Sequence, residues 1–175
     1  MGVHIASGGL WQGHRDLPCL WNVSRGPIAQ TSDGRFWIGG SSLCYRDSGG
    51  WKPVNNPTEL SSSFTNVVYS DRSRDLWVGT RTYGVFRHKG GEWHHYDMGD
   101  GIVDNDIVAL LDTGDETVWV ATKKGVSRFD GRRWVTDAFP SDLSSNLVIN
   151  GLQEAPNGSV WLNYRADDWF SQRRE

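Results

Sequence analysis

Short apolar runs, separated by turns rich in glycine, aspartate and asparagine, follow one another along the whole chain. Four of these runs contain a tryptophan, and they lie at residues 36–39, 76–79, 118–121 and 160–163. Apolar runs of this length, bounded by turn residues, are typical of β-strands, and no segment shows the 3.6-residue spacing of an amphipathic helix. The pattern predicts an all-β fold.

The tryptophans of these runs recur at a nearly constant interval. The intervals are 40, 42 and 42 residues, between Trp37, Trp77, Trp119 and Trp161. A second tryptophan follows each of the first three after 14 to 16 residues, at Trp51, Trp93 and Trp134. A period of about 40 to 45 residues is typical of β-propellers, whose blades are four-stranded antiparallel sheets. The predicted fold class is therefore a β-propeller.

The turns between the first two strands of each blade support this fold. Asp33-Gly34 and Asn157-Gly158 stand just before tryptophan strands, and such pairs adopt the positive φ angles of tight hairpins. A tryptophan at a fixed position in every blade is expected to fill the wedge between neighbouring blades, where each buried ring removes about 150–250 Å² from water. The tryptophan excess is therefore interpreted as core before it is interpreted as a binding surface.

The repeat predicts that residues 1–175 form either a single propeller domain or a fragment of a propeller. The expected units are a half blade at 2–21, blades at about 22–62, 63–104 and 105–145, and a half blade at 146–175. Three complete blades and two halves make about four blade-equivalents. Pairing of the two terminal half blades would close a ring, whereas unpaired halves would leave open edges, as in a fragment or an oligomer.

Composition and charge exclude some classes of partner. The formal net charge is −3, with 18 basic and 21 acidic residues and no basic stripe, so we expect no nucleic-acid partner. No apolar run reaches the roughly 20 residues of a membrane span, and the N-terminus lacks the pattern of a signal peptide. The two cysteines, Cys19 and Cys44, form no disulfide framework, and two buried thiols are favoured over a disulfide.

Motifs for catalysis and metal binding are not found in the sequence. His94 and His95 are adjacent, and neighbouring residues on a strand point to opposite faces, so they are not expected to share a metal ion. The repeated turn aspartates are explained by turn geometry. A propeller lyase or glycosidase would need an unrepeated acid/base pair, and none is evident. We therefore expect no catalytic residue, no metal and no cofactor, and a protein that is not an enzyme.

Several segments resemble one known family. The sequences DGRFWIG at 33–39 and DLWVGT at 75–80, with the linkers GDGIVDNDI at 99–107 and DLSSNLV at 142–148, resemble the two-component regulator propeller repeat. The resemblance covers nearly the whole chain up to about residue 163. It implies a sensing role, because such propellers form the extracytoplasmic input region of membrane-bound bacterial sensors, including hybrid histidine kinases that respond to polysaccharide fragments. It also implies a periplasmic or extracytoplasmic location.

One face of the propeller is the expected binding site. In a four-stranded blade, the loop after the tryptophan strand and the linker to the next blade open on the same face, around the central channel. Cationic and aromatic side chains converging there would suit an acidic or sugar ligand. The candidate residues from the loops are Arg81, Thr82, Tyr83, Lys123, Lys124, Tyr164 and Arg165, and those from the linkers are Asp104, Asn105 and Asn146.

The function predicted from these observations is non-catalytic binding of a ligand or partner by a sensor-type propeller. The partner would be a small molecule, an oligosaccharide or a protein, with homo-oligomers possible through the half blades. Two alternatives remain open, a carbohydrate-binding lectin and a structural interaction scaffold. A lectin should repeat its polar residues beside the second tryptophan, whereas Lys52, His94 and Val135 differ at that position.

Overall fold

The computed structural model describes residues 3–7, 10–14, 17–18, 26–113, 117–138 and 147–166, which form five antiparallel sheets. The N-terminal hairpin consists of β1 (Val3–Ser7) and β2 (Leu10–His14). The first blade consists of β3 (Ile28–Gln30), β4 (Phe36–Gly39), β5 (Leu43–Asp47) and β6 (Gly50–Pro53). The second blade consists of β7 (Thr65–Ser70), β8 (Leu76–Thr80), β9 (Val85–Lys89) and β10 (Glu92–Tyr96).

The third blade and a last hairpin follow in the same order. The third blade consists of β11 (Ile107–Asp112), β12 (Val118–Thr122), β13 (Gly125–Phe129) and β14 (Trp134–Ala138), and the C-terminal hairpin of β15 (Leu147–Glu154) and β16 (Val160–Ala166). Within each blade the strands pair in chain order, and the first strands of successive units lie next to one another. The predicted class, a propeller of four-stranded antiparallel blades, is confirmed.

Two linkers of this all-β fold contain a single helical turn each. One turn of helix, α1 (Thr58–Ser62), joins the first and second blades, and its Leu60 side chain is fully buried. A 3₁₀ turn at Met98–Asp100 joins the second and third blades and is capped reciprocally by Asp97 and Asp100. Single turns are too short to show a helical period in sequence. None of the helices in the described part of the chain is long and apolar enough to cross a membrane.

The two terminal hairpins form separate two-stranded sheets. In the described residues, neither β1 nor β2 is hydrogen-bonded to β15 or β16. The structure therefore does not show the ring closure that pairing of the half blades would give.

Tryptophan side chains fill the seams between the complete blades. Trp37 of the first blade packs against the second blade, in a buried cluster that includes Leu76, Val78 and Phe86. Trp77 packs in the same way against the third blade, and both indoles are almost completely buried. The expectation fails for Trp161, whose side chain is 67% exposed, because no blade in the described structure covers that face of the C-terminal hairpin.

The indoles of Trp37 and Trp77 are each held by a hydrogen bond to the residue six positions earlier. Trp37 Nε1 donates to Thr31 Oγ1 at 2.9 Å, and Trp77 Nε1 donates to Asp71 Oδ2 at 2.7 Å. A buried donor without a partner would destabilise the fold, so this bond fixes the orientation of the ring as well as its burial. Thr31 and Asp71 each directly follow the inner strand of their blade, which places the acceptor in the first turn.

Cys44 is completely buried beside Ile38 and Leu17, and it is disulfide-bonded. The expectation of a buried thiol is therefore wrong for Cys44, because burial alone does not distinguish a thiol from a disulfide sulfur. Cys19 lies outside the described residues.

Glycines two residues after the tryptophans allow the blades to approach closely. A Cβ added at Gly79 would lie 2.5 Å from Ile107 Cγ2, on the next blade, and one added at Gly39 would lie 2.5 Å from Thr65 Cγ2. We expect Gly79→Ala to lower the free energy of unfolding by about 1–3 kcal/mol, because the inner strand of the third blade must move outward.

Urea unfolding of the purified variant measures this effect, and Gly151→Ala is the matched control. Gly151 also lies on a strand, but a Cβ there meets no atom within 4 Å, so its change should stay within about 0.5 kcal/mol. Equal destabilisation by both substitutions would contradict the role of Gly79 in blade spacing.

Candidate binding site on the upper face

The loops that follow the tryptophan strands and the linkers between blades lie together on one face, which we call the upper face. The second blade contributes the loop at 81–84, and the third blade contributes the loop at 123–124. The linkers at 54–64 and 97–106 run beside them. These segments contain most of the candidate residues predicted from the sequence.

Hydrogen bonds join the loop of the second blade to the linkers on either side. The Arg81 N–H donates to the Phe64 carbonyl at 2.9 Å, and the Thr82 and Ser63 hydroxyls are 2.7 Å apart. The Gly84 N–H donates to the Asn105 carbonyl at 3.0 Å. The loop is therefore held by both neighbouring linkers, which makes its backbone a fixed part of the upper face.

The linker at 97–106 is ordered by its own polar side chains. Asn105 Oδ1 accepts the Met98 N–H at 3.0 Å, and Asp97 Oδ1 accepts the Gly99 N–H at 2.6 Å. Gly101 has a φ of 107°, a left-handed conformation that glycine adopts without strain, and it ends the 3₁₀ turn. Asn105, proposed from sequence as a ligand contact, therefore also supports the linker.

The two predicted lysines are paired with linker carboxylates. Lys123 Nζ lies 2.9 Å from Asp106 Oδ2, and Lys124 Nζ lies 3.1 Å from Asp104 Oδ2. Asp106 Oδ1 also accepts from Asn66 Nδ2 at 3.2 Å. Both lysines remain more than half exposed, so these pairs contribute little stability, but they neutralise part of the positive charge expected on this face.

Arg81 is a third cation on this face. Its side chain is exposed, and among the described residues no carboxylate forms an ion pair with it. Three large apolar side chains are also exposed here, namely Phe64 at 48%, Tyr83 at 37% and Met98 at 53%. A guanidinium beside exposed aromatic rings can bind a carboxylate in a bidentate manner and stack against a ring-shaped ligand.

Among the described residues, no contact joins the remaining candidates to Arg81 and the exposed apolar side chains beside its loop. Tyr164 lies on β16 and is 44% exposed. Arg165 is paired with Val148 in the C-terminal hairpin, but its side chain is outside the described part. Asn146 also lies outside the described residues.

The sequence analysis missed Phe64, Asn66, Met98 and Asp106. One signal could have revealed two of them, because Phe64 and Asp106 each directly precede the inner strand of a blade. Asn146, which precedes β15 in the sequence, is already a candidate, so the equivalent positions of the other units could have been included. Met98 had no such signal, since its exposure depends on the 3₁₀ turn.

The opposite face, which we call the lower face, contains a charged cluster that joins three units. The Arg72 N–H donates to Asp112 Oδ2 at 2.8 Å, and Arg72 Nη2 donates to Glu154 Oε2 at 3.0 Å. These residues belong to the second blade, the third blade and the C-terminal hairpin. Asp112 is 4% exposed, and this burial raises the pKa of its carboxyl group above the usual range.

A cleft of about 260 Å³ lies beside this cluster, between the second and third blades. Arg87 lines it, with its guanidinium 4.8 Å from the centroid of the Trp77 ring and 2.6 Å from Asp75 Oδ2. The cationic groups in the cleft thus have carboxylate partners. Within the described ranges, no three His, Cys, Asp or Glu side chains are placed to hold a metal ion.

The arrangement of blades and linkers defines a β-propeller, and the comparisons with known proteins agree with it. No family model and no curated protein sequence matches the chain. Among solved structures, it is similar to the extracellular domain of BT4673 from B. thetaiotaomicron, assigned there as a one-component system, with a TM-score of 0.67 and 18% identity. A second structure of that domain, assigned to a hybrid two-component system, gives a TM-score of 0.65.

Proteins with other roles share the fold. Virginiamycin B lyase from Staphylococcus aureus is similar with a TM-score of 0.67 and 13% identity, over 92% of this chain and 55% of the lyase. PorZ, a surface component of the type-IX secretion system of Porphyromonas gingivalis, gives 0.66 and 12%, over 94% of this chain and 28% of PorZ. The BT4673 alignment covers 89% of this chain and 22% of that domain. At the level of the fold, the resemblance to two-component regulator propellers is confirmed.

The lower-face cluster should give a distinctive dependence of stability on pH. Because the pKa of Asp112 is raised in the folded state, the folded chain binds more protons than the unfolded chain above about pH 4, and stability falls as pH rises through the raised pKa. We expect Asp112→Asn to remove this loss, so that its urea midpoint exceeds that of the wild type at pH 7 and not at pH 3.

The control is Asp47→Asn, which should behave in the opposite way. The hydrogen bond from Lys52 lowers the pKa of Asp47, so its contribution to stability is present at neutral pH and is lost as pH falls. The Asp47 variant should be less stable than the wild type at pH 7. A lower midpoint for the Asp112 variant at pH 7 would contradict the assignment of burial as the dominant effect.

Proposed function

We propose that the chain is a non-catalytic sensing segment of a β-propeller, which binds a ligand or partner through the upper face. The observation that carries this proposal is the fold that it shares with extracellular sensor domains. The repeat resemblance supports the same role. Because one fold serves unrelated functions, the binding site must be argued from its own residues.

The upper face best suits an oligosaccharide that carries an acidic group. Arg81 supplies a guanidinium that has no ion-pair partner among the described residues, and this group binds a carboxylate most specifically. Tyr83, two residues later in the same loop, and Phe64, whose backbone carbonyl accepts the Arg81 N–H, supply exposed aromatic rings. The two lysine–aspartate pairs provide donors and acceptors for hydroxyl groups without adding net charge.

Catalysis is the competing function, because virginiamycin B lyase has a similar fold. A lyase needs a group that abstracts a proton within reach of the substrate. The upper face offers His95 for this role, but its Nε2 is engaged with the Tyr83 carbonyl. An assay must therefore measure binding and turnover separately.

We expect isothermal titration calorimetry to detect binding of oligogalacturonides, and Arg81→Ala to weaken this binding by at least about tenfold. The loss follows from removing the carboxylate partner. Lys89→Ala is the control, because Lys89 carries the same charge on the lower face and should leave the affinity unchanged. Mass spectrometry of the same samples should show intact oligosaccharide.

Two outcomes would contradict the proposal. Equal binding by the Arg81 and Lys89 variants would remove the upper face as the site. Release of an unsaturated product would make the chain a lyase, and release of cleaved, saturated products would make it a hydrolase.

A further inference from the structure

The two ends of the described structure expose the two halves of a seam between blades. Inside the structure, a seam joins the tryptophan of one unit to side chains on the inner and third strands of the next unit. At the first seam, Trp37 shares a buried cluster with Val68 of the inner strand, and its ring centroid lies 5.8 Å from that of His88 on the third strand. The same three positions at the second seam are occupied by Trp77, Leu110 and Phe129.

The C-terminal hairpin presents the tryptophan half of such a seam. Trp161 continues the interval of Trp37, Trp77 and Trp119, and it stands in the second strand of its unit as they do. Its side chain is mostly exposed, whereas Trp37 and Trp77 are almost completely buried. Burial of an indole removes a large apolar area from water, so this end of the structure has a contact surface that the complete seams cover.

The first blade presents the complementary half on its inner strand. By strand register, Ile28 is the equivalent of Val68 and Leu110, which share buried clusters with Trp37 and Trp77. Ile28 is 54% exposed, whereas Val68 and Leu110 are 6% and 8% exposed. This difference arises because, in the part of the chain that is described, no tryptophan strand of a preceding unit covers the first blade.

Arg46 adds a cation to this half of the seam. By strand register, it stands where the second and third blades have His88 and Phe129, the residues whose rings contact a tryptophan. Arg46 Nε is buried, and it has no hydrogen-bond partner among the described residues. A guanidinium packs favourably over an indole face, as Arg87 does over Trp77. Arg46 is therefore suited to contact a tryptophan of another unit.

The strands at the two ends also match. β16 is hydrogen-bonded to β15 and β1 to β2, and within the described ranges the other edge of each of these strands has no partner. The register of the N-terminal hairpin sets Ala6 opposite Trp11, as the third and fourth strands of the second blade set His88 opposite Trp93. The N-terminal hairpin thus has the pattern of a third and fourth strand, and the C-terminal hairpin that of a first and second.

We propose that two copies of this chain associate end to end, so that the C-terminal hairpin of each copy and the N-terminal hairpin of the other form one four-stranded blade. β16 of one copy pairs with β1 of the second, and Trp161 packs on Ile28 and Arg46 of that second copy. The two junctions are related by two-fold symmetry, so the assembly closes. Closure also removes the open strand edges.

A second copy is the occupant because the two hairpins of one copy form separate sheets in the described residues. Two copies supply about eight blade-equivalents, within the roughly four to eight blades that propellers use. Tyr164 and Arg165, which are candidate site residues, lie on β16 and therefore in a blade to which both copies contribute. The inference goes beyond the proposed function, since the association requires no ligand.

The test is light scattering behind size exclusion, performed on the purified full chain without ligand at several concentrations. We expect a mass twice that of the chain, together with slowed hydrogen exchange at the β16 amides of residues 160–163 in the associated form. A monomer at about 100 µM chain would overturn the proposal, and so would an assembly larger than a dimer.

Two variants each disable one end of the chain. Trp161→Ala removes the indole, and Ile28→Asp places a charge where the junction is buried. Both side chains are more than half exposed, so each variant should keep the circular dichroism spectrum of the wild type. Each should raise the dissociation constant of the dimer by at least about tenfold.

His94→Ala is the matched control, because it removes an exposed ring from the outer strand of the second blade, which lies at neither end. Its dissociation constant should equal that of the wild type. An equal loss of association in this control would overturn the proposal, as would unchanged affinity in either end variant.

A mixture of the two end variants distinguishes contact between unlike ends from contact between like ends. The mixed dimer keeps one intact junction, between Trp161 of the Ile28→Asp copy and Ile28 of the Trp161→Ala copy. We expect native mass spectrometry to show more mixed dimer than dimer of either variant alone. A mixture without this excess of mixed dimer would overturn the end-to-end arrangement.

Discussion

The contact between a tryptophan of one blade and the inner strand of the next is the interaction on which the rest of this structure depends. The indole is fixed by a hydrogen bond at both seams, and the glycine two residues later lets the next inner strand approach. This contact sets the spacing of the blades. That spacing brings the loop at 81–84 within hydrogen-bonding distance of Phe64 on one side and Asn105 on the other.

The same contact leaves room for variation around it. The Trp37 ring centroid lies 5.8 Å from that of His88, and the Trp77 ring centroid lies 5.8 Å from that of Phe129, although histidine and phenylalanine differ in polarity. A ring is therefore needed at this position of the seam, but not one particular ring. Functional differences can therefore be placed at seams without altering the fold. Repeated positions are useful for this reason, because a residue that departs from its equivalents in other blades is released from the common structural role.

Some of the ion pairs in this protein connect different units. Arg72 links the second blade to the third and to the C-terminal hairpin, and Lys123 pairs with the linker residue Asp106. Exposed pairs of this kind add little stability, but they neutralise the charges of Lys123 and Lys124 on the upper face. The net charge of the chain is −3, but the charge of the upper face differs from this total. Arg81 is exposed there without an ion-pair partner among the described residues.

The sequence by itself determined the strands, the order of the blades and the aromatic core. Short apolar runs, turn glycines and a nearly constant tryptophan interval are local properties, and they can be recognised without knowing which segments meet. The tertiary structure decided the rest. Lys124 finds Asp104, Asp112 becomes buried and Trp161 stays exposed because of the segments that stand beside them. The single turn of α1 exists because Leu60 is buried, not because its sequence is periodic. A residue's partner and its burial depend on the approach of distant segments, and the local pattern of one chain does not contain that information.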